Sequence, residues 1–310
     1  MPEILTITFN PCIDKSTSIS SLAPEKKLHC TVPTFEPGGG GINVARAINK
    51  LGGEATAVYP SGGYSGKFLD TLLKQEGIST KVVEAKKHTR ENMIVMDRST
   101  NLQYRFGMPG QDLAEDEWEK CLHFIQESDA RFIVASGSLP PGVPADILAR
   151  ISKIAKKQNS KFIVDSSEEA LKLVLEEGVY LIKPNIHELC KLAGKEELIA
   201  GEIEMVAKEL IGKTKCDIIV VSMGVSGAIM VTKDFVYKVS SPIVKIKSTV
   251  GAGDSMVAGI VLSLAKGSNL KEALEYGVAC GTAATMSPGT QLCKTADVNR
   301  LLNIMKAGQN

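Results

Sequence analysis

The stretch Phe132-Ile133-Val134-Ala135-Ser136-Gly137-Ser138-Leu139-Pro140-Pro141 opens with four apolar residues in a row and then turns abruptly polar. An unbroken apolar run of this length suits a strand covered on both faces, whereas a strand with one wet face would alternate. The same phrase recurs. Residues 162–164 run into Asp165-Ser166-Ser167, residues 180–182 into Lys183-Pro184-Asn185, and residues 218–221 into Ser222-Met223-Gly224. Residues 4–9 and 55–59 are runs of the same kind, and helical stretches lie at 116–126, 145–157 and 203–210. Repeated strand–helix–strand order predicts an α/β fold: a doubly wound, mainly parallel sheet between helices, with right-handed crossovers. Ligands of such sheets bind outside the carboxyl ends of the strands. Polar residues and Gly at four successive ends therefore predict one shared groove there.

Two segments break the pattern. Residues of about 12–35 and 87–106 alternate without intervening helices, as in Gln103-Tyr104-Arg105-Phe106. They are expected to be inserted antiparallel strands of a small second sheet, a lid over the cleft or a dimer contact. Residues 1–310 otherwise read as one α/β unit without internal repeats or long linkers.

Composition narrows the function. Lys+Arg 36 against Asp+Glu 35 gives a net charge of +1 over 310 residues, without the basic excess that wrapping nucleic-acid phosphates requires. No stretch reaches the roughly 20 apolar residues of a membrane span, and residues 256–265 read as a buried helix. The start, MPEILTITFNP, lacks the basic-then-apolar order of a signal peptide. Seven cysteines, at 12, 30, 121, 190, 216, 280 and 293, form no C-x-x-C pair, which suggests reduced thiols in a cytoplasmic protein.

The sharpest chemical signal is Ser248-Thr249-Val250-Gly251-Ala252-Gly253-Asp254-Ser255-Met256, which follows a strand-like run at 243–247 and opens an apolar helix. Glycines at 251 and 253 remove the Cβ that would hold backbone N–H groups away from a phosphate. A helix start adds unpaired donors and the positive end of the macrodipole. Gly251, Ala252 and Gly253 can thus hold the charge of a transferring phosphoryl group. Asp254, in the first turn, is expected to stay ionised at a low pKa and to take a hydroxyl proton late in the transfer.

Glu36-Pro37-Gly38-Gly39-Gly40-Gly41-Ile42-Asn43-Val44-Ala45-Arg46 sets four glycines before a helix expected at 42–51. Each costs about 0.5–1 kcal/mol relative to Ala in a regular element, which makes sense where a ligand touches the main chain. Asn43 could hydrogen-bond a sugar hydroxyl or a phosphate oxygen. Lys183-Pro184-Asn185-Ile186-His187-Glu188 spaces an amide and a carboxylate three residues apart, able to face one side of a helix start. Such oxygen donors suit a hydrated Mg²⁺, although a solvated Glu is the plainer reading. Arg90 and Arg105 fall in the expected lid, where their forks could bind a phosphate bidentately. The four histidines (29, 88, 123, 187) are scattered, which argues against His ligation of a metal. There is no Walker A, no G-x-G-x-x-G and no G-x-S-x-G.

Together Asn10-Pro11-x-x-Asp14, the glycine run with Ile42-Asn43-Val44-Ala45-Arg46, Ser136-Gly137-Ser138-Leu139-Pro140, Lys183-Pro184-Asn185-x-x-Glu188 and Gly251-Ala252-Gly253-Asp254 resemble the phosphofructokinase-B family of ribokinase-like carbohydrate kinases, from about residue 5 to 293. One such motif is weak; five in family order are specific. The resemblance implies a ribokinase-like α/β unit with a β-sheet lid, pairing of two subunits through the lid, ATP as co-substrate and Mg²⁺. It makes Asp254 the catalytic base and Gly251, Ala252 and Gly253 the anion hole. Asp14 would hold sugar hydroxyls, while Gly39, Gly40, Asn43, Arg90, Arg105 and Ser138 would form the phosphosugar pocket. Asn185 and Glu188 would serve Mg²⁺ through water, and Lys183, Asn185, Ser222, Gly224 and Gly227 would lie on the nucleotide side. Many relatives also hold a monovalent cation, K⁺, by carbonyls, here near Ser248, Val250 and Gly289.

The resemblance also bears on the substrate. 1-Phosphofructokinases and tagatose-6-phosphate kinases usually carry a lysine in the glycine loop where this chain has Gly40. Residues 35–41, 104–110 and 165–167 are similar instead to the minor 6-phosphofructokinases of bacteria. Fructose 6-phosphate is therefore the expected acceptor, with phosphorylation at C1. The alternatives are a 1-phosphofructokinase or tagatose-6-phosphate kinase, a kinase of nucleosides or unphosphorylated sugars, and a catalytically silent sensor on the same fold.

Overall fold

The computed structural model describes residues 3–166, 168–199 and 201–307; Met1 and Pro2 of the N-terminal segment and Ser167 of the second strand end lie outside the described residues. In chain order the elements are β1 (Ile4–Ile7), β2 (Cys12–Ile19), β3 (Thr34–Gly38), α1 (Gly40–Lys50), β4 (Thr56–Ser61), α2 (Gly63–Gln75), β5 (Ser79–Glu84), β6 (Arg90–Asp97), β7 (Leu102–Phe106), α3 (Glu115–Gln126), β8 (Phe132–Ser136), α4 (Ile147–Lys157), β9 (Lys161–Asp165), α5 (Glu168–Glu177), β10 (Val179–Ile182), α6 (Ile186–Leu192), α7 (Ile203–Lys213), β11 (Cys216–Ser222), β12 (Ala228–Thr232), β13 (Val236–Val239), α8 (Ala252–Ala265), α9 (Leu270–Thr285) and α10 (Thr295–Ala307).

Among the described residues the main sheet runs β13-β12-β11-β10-β9-β8-β1-β4-β5. From β11 to β5 every neighbouring pair is parallel. Each apolar run divides between two cores, because side chains alternate across a strand. Phe132 and Val134 pack with α1, α2, α8, α9 and α10, and Ile133 and Ala135 pack with α3 to α7. Both faces are dry, which is why the strands read as continuous rather than alternating. The chain winds one way from β1 to β4 and β5, and the other way from β8 to β11. The strand order therefore reverses between β1 and β8, and that switch point is where such folds place their ligand.

Two expectations fail here. Residues 243–247 form no strand: the main sheet ends at β13, after a second antiparallel turn through β12, and the chain leaves along its edge. Residues 247–248 are tied instead to the end of α9, with both backbone N–H groups donating to Thr285 O. The second sheet, in order β3-β2-β6-β7, is antiparallel only in its outer pairs. Its central pair β2–β6 is parallel, because the two strands enter from β1 and β5, which themselves run the same way. No helix among the described residues is long and apolar enough to cross a membrane.

Candidate active site

The glycine loop lies across the switch point. Gly39 takes φ 110°, closed to most side chains. A Cβ on Gly40 would stand 2.2 Å from Ser136 Oγ and 2.7 Å from Gly137 N, and one on Gly41 would stand 2.4 Å from Ile7 O. A run of glycines before a helix is expected where a ligand touches the main chain. At 40 and 41 the partner is the protein itself: they let the start of α1 descend onto the ends of β1 and β8.

That descent brings Asn43 to Asp254. Asn43 Nδ2 donates to Asp254 Oδ2 at 2.9 Å, and Ser136 Oγ donates to Oδ1 at 3.4 Å. The amide's orientation is set from behind, where Arg46 Nη1 donates to Asn43 Oδ1 (3.3 Å) and to Pro37 O (2.7 Å). Arg46 is 1% exposed and is neutralised by Glu76 through paired bonds of 2.8 and 2.6 Å. Burial pushes the Glu76 carboxyl up, but these bonds outweigh it and the net pKa is lowered. A buried ion pair holds when its hydrogen bonds are satisfied in this way.

Asp254 stands in the first turn of α8, after Gly251 in the left-handed conformation (φ 74°). The next N–H groups have no helical carbonyl to meet and point at whatever sits before the helix. The expectation of a low pKa is not met, for Asp254 is raised to about 6. Burial is the main cause and the charge of Asp165 the second. The Asn43 bond, the Lys183 charge and the Ser136 bond oppose both without cancelling them. A carboxylate so placed is a better proton acceptor than a first-turn Asp in water.

Lys183 leaves the end of β10 beneath this turn, with Nζ 3.2 Å from Asp165 Oδ1 and beside Gly253. Burial works against its charge, yet Asp165, with Glu188 and Asp254 beyond, more than compensates and its pKa is raised. A cavity of about 640 Å³ opens from Lys183 and Gly253, past Asn185 and Ser222, to the strongly exposed Val225 and Ile243. Its size is within the small-molecule range of roughly 300–1,000 Å³. Gly224 also lines it, but Gly227 does not. Gly227 turns the chain from β11 into β12 at φ 93°, where a Cβ would strike Val239 O at 2.0 Å.

Asn185 and Glu188 do face one another, in a reciprocal cap. Glu188 N donates to Asn185 Oδ1 at 2.9 Å and Asn185 N donates to Glu188 Oε2 at 2.8 Å. The box fixes the start of α6. Among the described residues no group of three or more His, Cys, Asp or Glu is placed to hold a metal ion. A hydrated Mg²⁺ needs only one or two protein oxygens besides water and phosphates, and Asn185 and Glu188, which line the cavity, carry oxygens of that kind.

On the side of the second sheet, Asp14 is buried and accepts from Asn92 Nδ2 at 3.0 Å and from the Cys12 thiol at 3.4 Å. Arg90 donates to Met108 O and Asn10 O, and its Nε is buried without a partner. Arg105 reaches Gln103 and, at 3.0 Å, Thr249 Oγ1. Ser138 Oγ accepts from Asn10 Nδ2 at 3.0 Å. Ser248 Oγ donates to Gly289 O (2.7 Å) and accepts from Val250 N (3.2 Å), which ties the turn at Gly289 to the one at 248–250. Sequence reasoning missed Asp165, Ser136, Arg46 and Asn92 as participants. Asp165 and Ser136 were visible as polar strand ends; Arg46 and Asn92 act through partners that only the fold supplies.

A doubly wound sheet, a small second sheet beside it, and a carboxylate in the first turn of an amide-rich helix start are the features of a ribokinase-like kinase. Residues 4–297 match the pfkB family carbohydrate kinase. The ATP-dependent 6-phosphofructokinase isozyme 2 of Escherichia coli (strain K12) is 44% identical over 303 residues, 97% of this chain and 98% of that protein. The 1-phosphofructokinase of Bacillus subtilis (strain 168) is 30% identical over 285 residues, 92% and 93% of the two chains. A crystal structure of phosphofructokinase-2 from Escherichia coli in complex with potassium has a TM-score of 0.94 at 44% identity, covering 99% of this chain and 100% of that one. The chain belongs to the pfkB family of carbohydrate kinases.

Proposed function

We propose that this kinase transfers the γ-phosphoryl group of ATP to the C1 hydroxyl of fructose 6-phosphate, giving fructose 1,6-bisphosphate and ADP. The observation that carries the reading is the seat of Asp254, fixed by Asn43 and Ser136 one residue beyond Gly253, which lines the nucleotide-sized cavity. ATP occupies the cavity from Ile243 to Lys183, its terminal phosphate against the amides of 251–253. The sugar phosphate lies under the lid, its hydroxyls toward Asp14 and Asn43 and its phosphate toward Arg90, Arg105 and Ser138. The C1 oxygen attacks phosphorus, the bond to the bridging oxygen of ADP breaks, and the hydroxyl proton passes to Asp254. The 251–253 amides and Lys183 offset charge on the moving group. Mg²⁺, met by Glu188 and Asn185 through water, would neutralise phosphate charge when bound.

Fructose 6-phosphate is chosen over its isomers because similarity to the 6-phosphofructokinase exceeds that to the 1-phosphofructokinase, and because Gly40 stands where the latter usually carry lysine. Residues 1–310 act as one unit with its lid, in the cytoplasm, where free thiols persist and glycolysis uses the product. Val32, Leu102 and Phe106 expose apolar surface on the lid, to which we assign a second copy of the chain. The linked turns of Ser248, Val250 and Gly289 are assigned to K⁺, which the Escherichia coli relative was crystallised with. The test is coupled ADP release with fructose 6-phosphate, fructose 1-phosphate, tagatose 6-phosphate and unphosphorylated sugars. Fructose 6-phosphate should lead in kcat/KM; a tenfold lead by another acceptor overturns the choice.

A further inference from the structure

Among the described residues the lid touches the loops around the anion hole at two places, and one is a half-buried carboxylate with no part in the chemistry above. Glu36 sits in β3, directly across the ladder from Asp14. Its Oε2 accepts from Thr290 Oγ1 at 2.5 Å and from Thr290 N at 3.3 Å. The neighbouring Gly289, at φ 63°, lies against the lid: its Cβ position is 3.6 Å from both Glu36 Oε2 and Ser16 Oγ. Ser16 Oγ is itself buried without a hydrogen-bond partner. Gly289 O in turn accepts from Ser248 Oγ, which accepts from Val250 N, one residue before the anion hole. The second contact, Arg105 to Thr249, reaches the same turn from β7.

We infer that Glu36 is a positioning residue that makes seating of the lid on the sugar phosphate and ordering of the 248–253 turn one event. A sugar held by Asp14 steadies β2 and, through the ladder, β3. Glu36 then holds Thr290, and Gly289 O holds Ser248. Such a link favours the assembled anion hole when acceptor is bound, which limits phosphoryl transfer to water. By reciprocity, a ligand at the turn must also tighten the lid's grip on the sugar. The inference rests on fructose 6-phosphate as the lid's ligand.

The test is hydrogen–deuterium exchange on the full chain with fructose 6-phosphate and no nucleotide, beside steady-state kinetics, for the native protein, Glu36→Ala, Glu36→Gln and Thr290→Val. In the native protein the sugar phosphate should slow exchange in the lid strands and also in residues 248–254 and 286–293. In Glu36→Ala and Thr290→Val the lid should still be protected, but the two loops should lose most of that protection. In both variants kcat should fall by about tenfold with KM for the sugar phosphate changed less than about threefold, and Glu36→Gln, which keeps an acceptor oxygen, should recover most of the rate. Thr290→Val preserves shape and serves if Glu36→Ala fails to fold. Loop protection that persists in the variants, or is missing from the native protein while its lid is protected, overturns the coupling alone. No protection of the native lid overturns the fructose 6-phosphate reading and this inference with it.

Discussion

A carboxylate raised to about 6 binds protons over a range in which its unfolded counterpart, at 3.8, has lost them. Between those values the native state holds more protons than the unfolded chain, so stability falls as pH rises through the interval. The charge on Asp254 is therefore a standing cost at neutral pH, on the order of 1–3 kcal/mol. Asp254→Asn removes that cost and, with it, the proposed base. Chemical denaturation at pH 7.5 should find this variant more stable by about 1–3 kcal/mol, while kcat falls at least about a hundredfold. In the native enzyme, log kcat/KM for the sugar phosphate should drop below pH 6 with unit slope, because the protonated acid cannot accept the hydroxyl proton. The Asn variant should lack this limb, and an unchanged limb would assign the titration to another group. The place of Asp254 at a helix start was legible from Gly251-Ala252-Gly253-Asp254 alone. Its pKa was not, since Asp165 and the surrounding burial arrive from β9 and α1, distant in sequence.

In the proposed reaction, short elements at the cleft do structural and chemical work with the same atoms. The Asn185–Glu188 box satisfies two backbone donors at the start of α6, a helix of only two turns that depends on its cap. Sequence spacing showed the pair could face one side, but not that each side chain was already engaged by the other's backbone. The two roles separate by charge. Glu188→Gln keeps a capping box and should leave stability within about 0.5 kcal/mol, while the Mg²⁺ concentration for half-maximal rate rises severalfold. Glu188→Ala should lose both the cap, about 1 kcal/mol, and the Mg²⁺ response. Thermal denaturation and Mg²⁺ titration of the initial rate, run side by side, check both. The glycine run at 38–41 teaches a related lesson. Its cost in backbone entropy was plain from sequence, but the recipient of the close approach was not, because β1 and β8 become neighbours only when the sheet winds both ways.

At the scale of the whole molecule, the turn proposed for catalysis is the half-buried tip of a helix otherwise sunk in the core. α8 is apolar on nearly every side, which the run at 256–265 announced, and it packs between the sheet, α1 and α9. What sequence could not show is how tightly. A Cβ on Gly259 would lie 2.7 Å from Cys280 Sγ and 3.0 Å from Gly277 Cα, and one on Gly277 would lie 2.4 Å from Ile260 Cγ1. Small residues on both helices thus set the depth of α8, and with it the height of Asp254 above Asn43 and Ser136. Gly259→Ala gains about 1 kcal/mol of helix propensity but forces the helices apart, an overpacking cost of about 1–3 kcal/mol. A displacement of that kind, even well under 1 Å, acts on a base whose partners are fixed from other elements. The expected outcome is a net loss of stability in urea together with a kcat reduced by about tenfold or more, without a matching rise in KM for ATP. Because the nearest clashing atom is Cys280 Sγ, adding Cys280→Ala should restore part of both, and the coupling between the two sites in a double-mutant cycle should be favourable. Additive effects would mean that the depth of α8 is set elsewhere along its length.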